Sequence, residues 1–340
     1  MLKLLAIIVY FWNVENFFAP GEFPGHEWSG GRFYAKCNAV AKTLCLAADA
    51  CGALPDIVGL AEVGDASVLK ALLGATPLRK LDYSFVHYDS PDRRGIDCAL
   101  LYRRSRFRLL SSKPCHLYDS TGAVMRTRDI LLVVLETKGE ASLGGSGPGA
   151  DSARPHDTLA VLVNHHPSKV GAGSGDRRGV AMSRLRYLAD SLQAAGISRI
   201  IAVGDFNDEV VPAPGISRSG APVTAKGLSG EPFAEVFCES IARGGSGANG
   251  CPRKPMLYEP PGTIKFQGKW EKIDGCPLLE GARAEEYIFA PQCLLERDSH
   301  GGEKPRRTFS GPRYLGGVSD HLPVFYILSE KSLSLKDNEN

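Results

Sequence analysis

Short apolar runs alternate along this chain with polar, glycine-rich segments. The runs are Leu4–Trp12, Asp56–Ala61, Asp97–Tyr102, Ile130–Glu136, Thr158–Val163, Arg199–Val203, Ala284–Phe289 and Pro323–Leu328. Several place Val, Ile and Leu on consecutive positions, the pattern of strands covered on both faces. Two longer segments change period. Arg32–Cys51 carries apolar residues at three- and four-residue spacing and runs out into Gly52 and Pro55; Gly179–Gly196 behaves the same way and ends in glycine. Both read as helices. The Gly-rich stretches Gly139–Pro155 and Ala242–Arg253 read as surface insertions, and residues 331–340 as a polar C-terminal tail. No repeat and no linker divides the rest. Residues 1–330 are therefore expected to form one α/β domain, with two mostly antiparallel sheets packed face to face and helices outside.

The polar residues that interrupt these runs carry the candidate chemistry. "FWNVENFF" presents Asn13 and Glu15, "IVGLAEVGD" presents Glu62, and "VLVNHHPSK" presents Asn164, His165 and His166. "VGDFNDE" presents Asp205 and Asn207, and "GVSDHLPVF" presents Asp320 and His321 directly before the last strand. Each alone is also an ordinary turn or cap residue. Together they place carboxylates, amides and histidines at the ends of successive buried strands. That set suits hydrolysis of a phosphate ester. Glu62 is an oxygen ligand for a hard cation such as Mg²⁺. Asp205 and Asn207, two apart, share one face of an extended strand end. Asp320 and His321 bring a carboxylate beside a proton donor or acceptor.

Composition narrows the class only slightly. The chain has 340 residues, 43% of them hydrophobic and 23% charged, with a net charge of +2. That is ordinary for a globular protein. Three basic islands stand out: Arg103–Arg108, Asp176–Arg186 and Lys304–Arg313. They are either solvated faces or contacts for a phosphate-bearing partner. Nine cysteines without a CxxC pair indicate neither a zinc site nor a disulfide framework. Cys98 reads as a buried thiol, and Cys238 and Cys251 flank a Gly-rich loop that a bridge would close. The N-terminal apolar run is too short to span a membrane and lacks a small-residue cleavage site, so it reads as the first core strand. A monomer is expected, and the sequence does not choose between cytoplasm and export.

With these motifs in order from Asn13 to His321, the chain resembles the endonuclease/exonuclease/phosphatase superfamily, the DNase I-like enzymes. "GDFN" and "SDHLPV" are the most specific pieces, while "RRGIDCALLYR" and "VNHHPSK" resemble its bacterial branch. The resemblance implies a four-layered α/β sandwich and dependence on Mg²⁺ or Mn²⁺. It implies Glu62 as principal metal ligand, with Asn13 and Asp320 assisting. Asp205 would orient or deprotonate the attacking water, Asn207 would hold the phosphate, and His321 would bind the scissile phosphate or act as base. Asp274, in "WEKIDG", would orient His321. His165 would assist the leaving oxygen with Asp97 as its acidic partner, and Arg128 would contact phosphate. Lys169 and Arg178 are candidates for a phosphate-facing rim. One departure stands out. Pro277 follows Asp274 closely and cannot donate to a central ladder, so the strand there is expected to be short or displaced.

Substrate does not follow from fold. Nucleic acid is the first expectation, because basic clusters flank the motifs, and Trp28, Tyr34 and Tyr314 are available for stacking on bases. A phosphatase or phosphodiesterase acting on lipid head groups, inositol phosphates or small esters is the alternative. A non-catalytic protein using the fold as a binding surface comes third, since the polar set is complete.

Overall fold

The computed structural model describes residues 6–138, 158–169, 174–218 and 259–330. The two Gly-rich insertions, the Cys238–Cys251 pair and the polar tail lie outside these residues. Strands are numbered in chain order. One sheet holds seven, side by side in the order β3 (Tyr83–His87), β4 (Asp97–Arg103), β2 (Ile57–Val63), β1 (Ile7–Phe17), β18 (Val324–Glu330), β13 (Ala282–Ile288) and β9 (Ile216–Arg218). The other holds five, in the order β12 (Asp274–Glu280), β8 (Arg199–Asp205), β7 (Thr158–His165), β6 (Ile130–Thr137) and β5 (Phe107–Cys115). Three short ribbons fill the connections: β10–β11 (Ile264–Phe266 with Lys269–Glu271), β14–β15 (Leu295–Arg297 with Glu303–Pro305) and β16–β17 (Phe309–Ser310 with Arg313–Tyr314). Within the two sheets, pairing is antiparallel except for β1 with β2, β13 with β9 and β7 with β8.

The consecutive apolar residues have partners on both faces. Along β1, Val9 and Phe11 pack between the sheets with Val133, Val161, Val163 and Val203. Tyr10 and Trp12 point the other way, into a cluster with Val40 and Leu44 of helix α1 (Gly30–Cys51) and Leu69 and Leu72 of helix α2 (Ala66–Ala75). Behind the second sheet, Ala160, Leu162, Ile200 and Ala202 pack under Ala181, Leu185 and Leu188 of helix α3 (Ser174–Ala194). Helices, sheet, sheet and helix make four layers. Helix α1 starts at its capping residue, since Ser29 accepts from Arg32 N, and stops where Gly52 takes a left-handed conformation at φ 73°.

Close packing explains one glycine at the end of β8. A Cβ added at Gly204 would fall 2.5 Å from Asn164 Cβ and from the Asn164 carbonyl oxygen. Only glycine lets β8 lie this close to β7. The strand after Asp274 forms despite Pro277. It runs the full length of β12, as an edge strand, and its register shifts between Gly275 and Leu278. The proline sits inside that irregularity, where a missing N–H breaks no regular ladder. All the interrupting polar residues end up at one end of the sandwich. Asn13, Glu62, His165 and Asp205 sit toward the ends of β1, β2, β7 and β8, while Asp274 opens the antiparallel β12 and His321 precedes β18.

Replacing Gly204 by alanine is expected to cost ~1–3 kcal/mol, the usual range for overpacking a tight interior. Urea unfolding of the purified variant checks this.

Candidate active site

Asp205 stands at the centre of the cluster because two registers converge on it. Parallel pairing sets His165 opposite it on β7, and antiparallel pairing sets Asp274 opposite it on β12. Its Oδ2 accepts from Asn13 Nδ2 at 3.0 Å and its Oδ1 from Asn207 N at 2.9 Å. His321 Nδ1 lies 2.8 Å from Asp274 Oδ2, and its Nε2 lies 3.9 Å from both Asp205 Oδ2 and Asp320 Oδ1. The loop carrying His321 is tied down. Trp12 Nε1 donates to the His321 carbonyl at 2.9 Å, Ser319 Oγ donates to the Asn13 carbonyl at 2.6 Å, and His321 N donates to Ser319 Oγ at 3.0 Å.

Burial and neighbouring charge set the protonation states apart. Burial, and after it the Asp274 charge, raises the Asp205 carboxyl to about 7. Burial alone would pull the His321 imidazole down, but the charges of Asp274 and Asp205 outweigh it and hold His321 well above its ordinary range. His165 goes the other way. Burial, then the Arg128 and Arg94 charges, hold it well below the usual histidine value. The two histidines thus flank Asp205 in opposite states, with His165 Nε2 3.6 Å from Asp205 Oδ2.

Glu62 sits in a break in the pairing of β2 with β4, between Ala61 and Val63, at φ 62°. Its Oε2 accepts from Asn16 N at 2.8 Å, and its Oε1 lies 3.8 Å from both His165 Nε2 and Arg94 Nη1. Glu15, Asn16 and Asn207 also take positive φ, at 45°, 48° and 51°. Among the described residues only Gln267 does so elsewhere without being glycine. Such backbone states cost free energy and gather where geometry must be imposed. The donor set fits a hard divalent cation: Glu62 and Asp320 offer carboxylate oxygens and Asn13 an amide oxygen. Asn13 Oδ1 also accepts from Glu15 N at 3.0 Å, and Asp320 Oδ2 accepts from Arg307 Nη2 at 2.6 Å.

The remaining predicted residues divide. Asp97 does not partner His165. It opens β4 beside Cys98, and Cys98, Leu100 and Tyr102 face the second sheet, so alternation turns Asp97 with Ala99 and Leu101 toward the helix side. There its Oδ2 lies 3.4 Å from His87 Nε2 and its Oδ1 accepts from Ser90 N. Arg128 is buried beside His165, but its guanidinium is occupied by Asp92 at 3.2 Å and by the His166 carbonyl. Asn207 Nδ2 donates to the same carbonyl at 3.0 Å. Lys169 pairs with Glu271, and Arg178 with Asp208 at 3.4 Å. The basic island Arg103–Arg108 lies at the far end of β4, where Arg103 and Arg106 neutralise Asp56 and Asp82, and Arg108 neutralises Glu136.

Several participants escaped the sequence reading. Arg94 and Arg307 contact Glu62 and Asp320, and neither stands out within its basic run. Lys36 also went unnoticed, although a charge on the apolar face of a helix could have marked it. It is fully buried, and its Nζ donates to the Glu15 carbonyl and to Thr308 Oγ1. The Glu15 carboxylate in turn accepts from Thr308 N at 2.6 Å and Phe309 N at 3.1 Å.

A strand-end cluster of this composition, on a sandwich of this topology, defines a class of phosphoester-cleaving enzymes. The chain belongs to the Endonuclease/Exonuclease/phosphatase family, whose sequence profile matches residues 9–216 and 254–330. Its members are divalent-metal-dependent hydrolases of phosphate esters, and so is this chain. Solved structures share the fold. An endonuclease/exonuclease/phosphatase family protein from Bacteroides thetaiotaomicron aligns over 95% of this chain and 97% of its own, at 13% identity and TM-score 0.51. The mannosyl-6-phosphatase of the same species aligns over 95% and 99%, at 15% identity and TM-score 0.51. TDP2 from C. elegans aligns over 96% and 76%, at 15% identity and TM-score 0.50. No curated protein matches by sequence.

Two outcomes are expected. A carboxyl whose pKa is raised on folding, from about 4 in the unfolded chain, favours the fold while protonated. That contribution is complete at low pH and is lost as pH rises through about 7. In chelator, Asp205→Asn is therefore expected to gain melting temperature relative to the parent as pH rises from about 5 to about 8; calorimetry at both pH values reads it. Second, His321→Ala is expected to reduce turnover more than His165→Ala, because only His321 combines positive charge with contact to both Asp205 and Asp274. Turnover numbers on one phosphate ester decide the order.

Proposed function

We propose that this enzyme cleaves phosphodiester bonds in nucleic acid, with Mg²⁺ or Mn²⁺ as cofactor. The observation that carries the substrate is an aromatic wall next to the strand-end cluster. Trp28 and Tyr314, far apart in sequence, lie 6.0 Å apart between ring centroids; buried Phe309 packs against both, and buried Phe33 links Trp28 to Tyr34, which is 49% exposed. Arg32 lies over the Tyr314 ring at 4.8 Å. Base stacking on such a surface is worth ~1–3 kcal/mol per base. Phe309 is joined to the cluster through Glu15.

The opposed protonation states support a division of labour. Glu62, Asn13 and Asp320 would hold the divalent cation, whose chemistry is to neutralise charge on the phosphoryl group. Asp205, fixed by Asn13 and Asn207 N, takes the proton of the attacking water. A carboxyl near 7 is well matched to that task. His321, kept cationic by Asp274, is a poor base and a good partner for a phosphoryl oxygen. His165, kept neutral, offers a hydrogen bond to the leaving oxygen.

The second reading is a phosphatase for small esters, the activity named for the mannosyl-6-phosphatase of B. thetaiotaomicron. It is favoured by the rim, where Arg94, Arg307, Arg178 and Lys169 each face an acid. Supercoiled plasmid separates the two. Metal-dependent nicking that falls at least ~10²-fold in Asp205→Asn, the usual scale for losing a general base, is the expected result. Absence of nicking together with phosphate release from a hexose phosphate would replace the nuclease reading by the phosphatase.

A further inference from the structure

The turn between β3 and β4 holds a second polar cluster, on the helix side of the first sheet. His87 closes β3, Asp97 opens β4 and Asp89 lies between them. One donor atom from each falls within 4.8 Å of the others. The His87 side chain is 3% exposed, yet its Nε2 is buried without a hydrogen-bond partner. It lies 3.4 Å from Asp97 Oδ2 and misaligned for a hydrogen bond. A buried ring nitrogen in that position is destabilising unless something accepts its lone pair. The separation itself names a candidate. Bonds of about 2.0–2.2 Å at a tetrahedral angle place two donors roughly 3.3–3.6 Å apart.

Two further features agree with a cation. Ser90 N donates to Asp97 Oδ1 at 2.8 Å, the outer contact that orients a ligating carboxylate. Glu22 lies within electrostatic range of Asp89 and adds negative charge on that side. One imidazole with two carboxylates suits Zn²⁺, whereas Mg²⁺ and Ca²⁺ take oxygen donors. We propose that His87, Asp89 and Asp97 form a second divalent-cation site, suited to Zn²⁺ and separate from the Glu62 cluster. Such a site clamps the base of the turn formed by residues 88–96. That turn delivers Arg94 to Glu62 and Asp92 to Arg128. The cation therefore acts as a positioning element for the rim.

The test uses metal-free full-length protein and Zn²⁺ alone, and needs no activity. Calorimetric titration is expected to show one Zn²⁺ lost, or bound at least ~10-fold more weakly, in His87→Gln, with a similar loss in Asp89→Asn. Asp89 is exposed, so that second variant keeps the fold intact if removal of the buried histidine does not. Trypsin supplies the second readout, because Arg93 and Arg94 are exposed in the turn. Zn²⁺ is expected to slow cleavage there in the parent and not in Asp89→Asn. Zn²⁺ binding of equal affinity and stoichiometry in the parent and both variants would overturn the site. Cleavage that Zn²⁺ leaves unchanged in the parent would overturn the clamp.

Discussion

Two carboxylates, Asp205 and Asp274, are buried opposite each other across a strand pair, with a histidine against them. That contact governs the rest of the strand-end cluster. Neighbouring buried carboxylates repel strongly where water is excluded, and His321 supplies the compensating charge. The arrangement is held from outside. Asn13 and the Asn207 backbone fasten Asp205, Trp12 and Ser319 fasten the loop of His321, and Gly204 lets β8 come close enough to β7 for His165 to reach the same carboxylate. Removing the imidazole therefore does more than delete one group. It leaves two facing carboxylates in the interior without a counter-charge, so that one of them must keep a proton.

The cluster also depends on a buried bridge between distant segments. Lys36 reaches from α1 under the end of β1 to Thr308, and Glu15 reaches forward to the backbone of Thr308 and Phe309. Burial holds the Lys36 ammonium down to about 8, and burial with the Asp320 charge holds Glu15 up to about 7. This polar core ties the segment that carries Arg307 and Phe309 to the end of β1, beside the strand-end cluster. The strained backbones at Glu15, Asn16, Glu62 and Asn207 persist because such contacts over-determine them.

The central strands were legible in the sequence because both their faces are covered. Consecutive Val, Ile and Leu leave no other reading for β1, β7 or β8. Strand β3 and strand β5, most of whose positions are partly or fully exposed, left no such mark; "FRLLSSKPC" has neither alternation nor a continuous apolar run. Helix α2 is too short for its period to stand out, and β12 was obscured by a proline that only an edge position tolerates. The candidate site was legible where a polar residue interrupts an apolar run. That holds for Asn13, Glu62, His165, Asp205 and His321, which the fold gathers together with Asp274, a residue that only the family resemblance had singled out. It was not legible where the answer depends on which face a side chain takes. Asp97 is one residue out of phase with Cys98, so it turns to His87. Nor was it legible for the rim cations, whose partners Glu271, Asp208 and Asp320 come from other segments.

Strand β18 lies in the middle of its sheet, between β1 and β13, although it is the last of the described strands in sequence. His321 and Asp320 stand just before it, and Asn13 stands on the neighbouring strand from the other end of the sequence. The strand-end cluster is thus built from segments that lie far apart in the sequence, and it cannot form before β18 has seated between β1 and β13. Closing the sheet and assembling the cluster are one event.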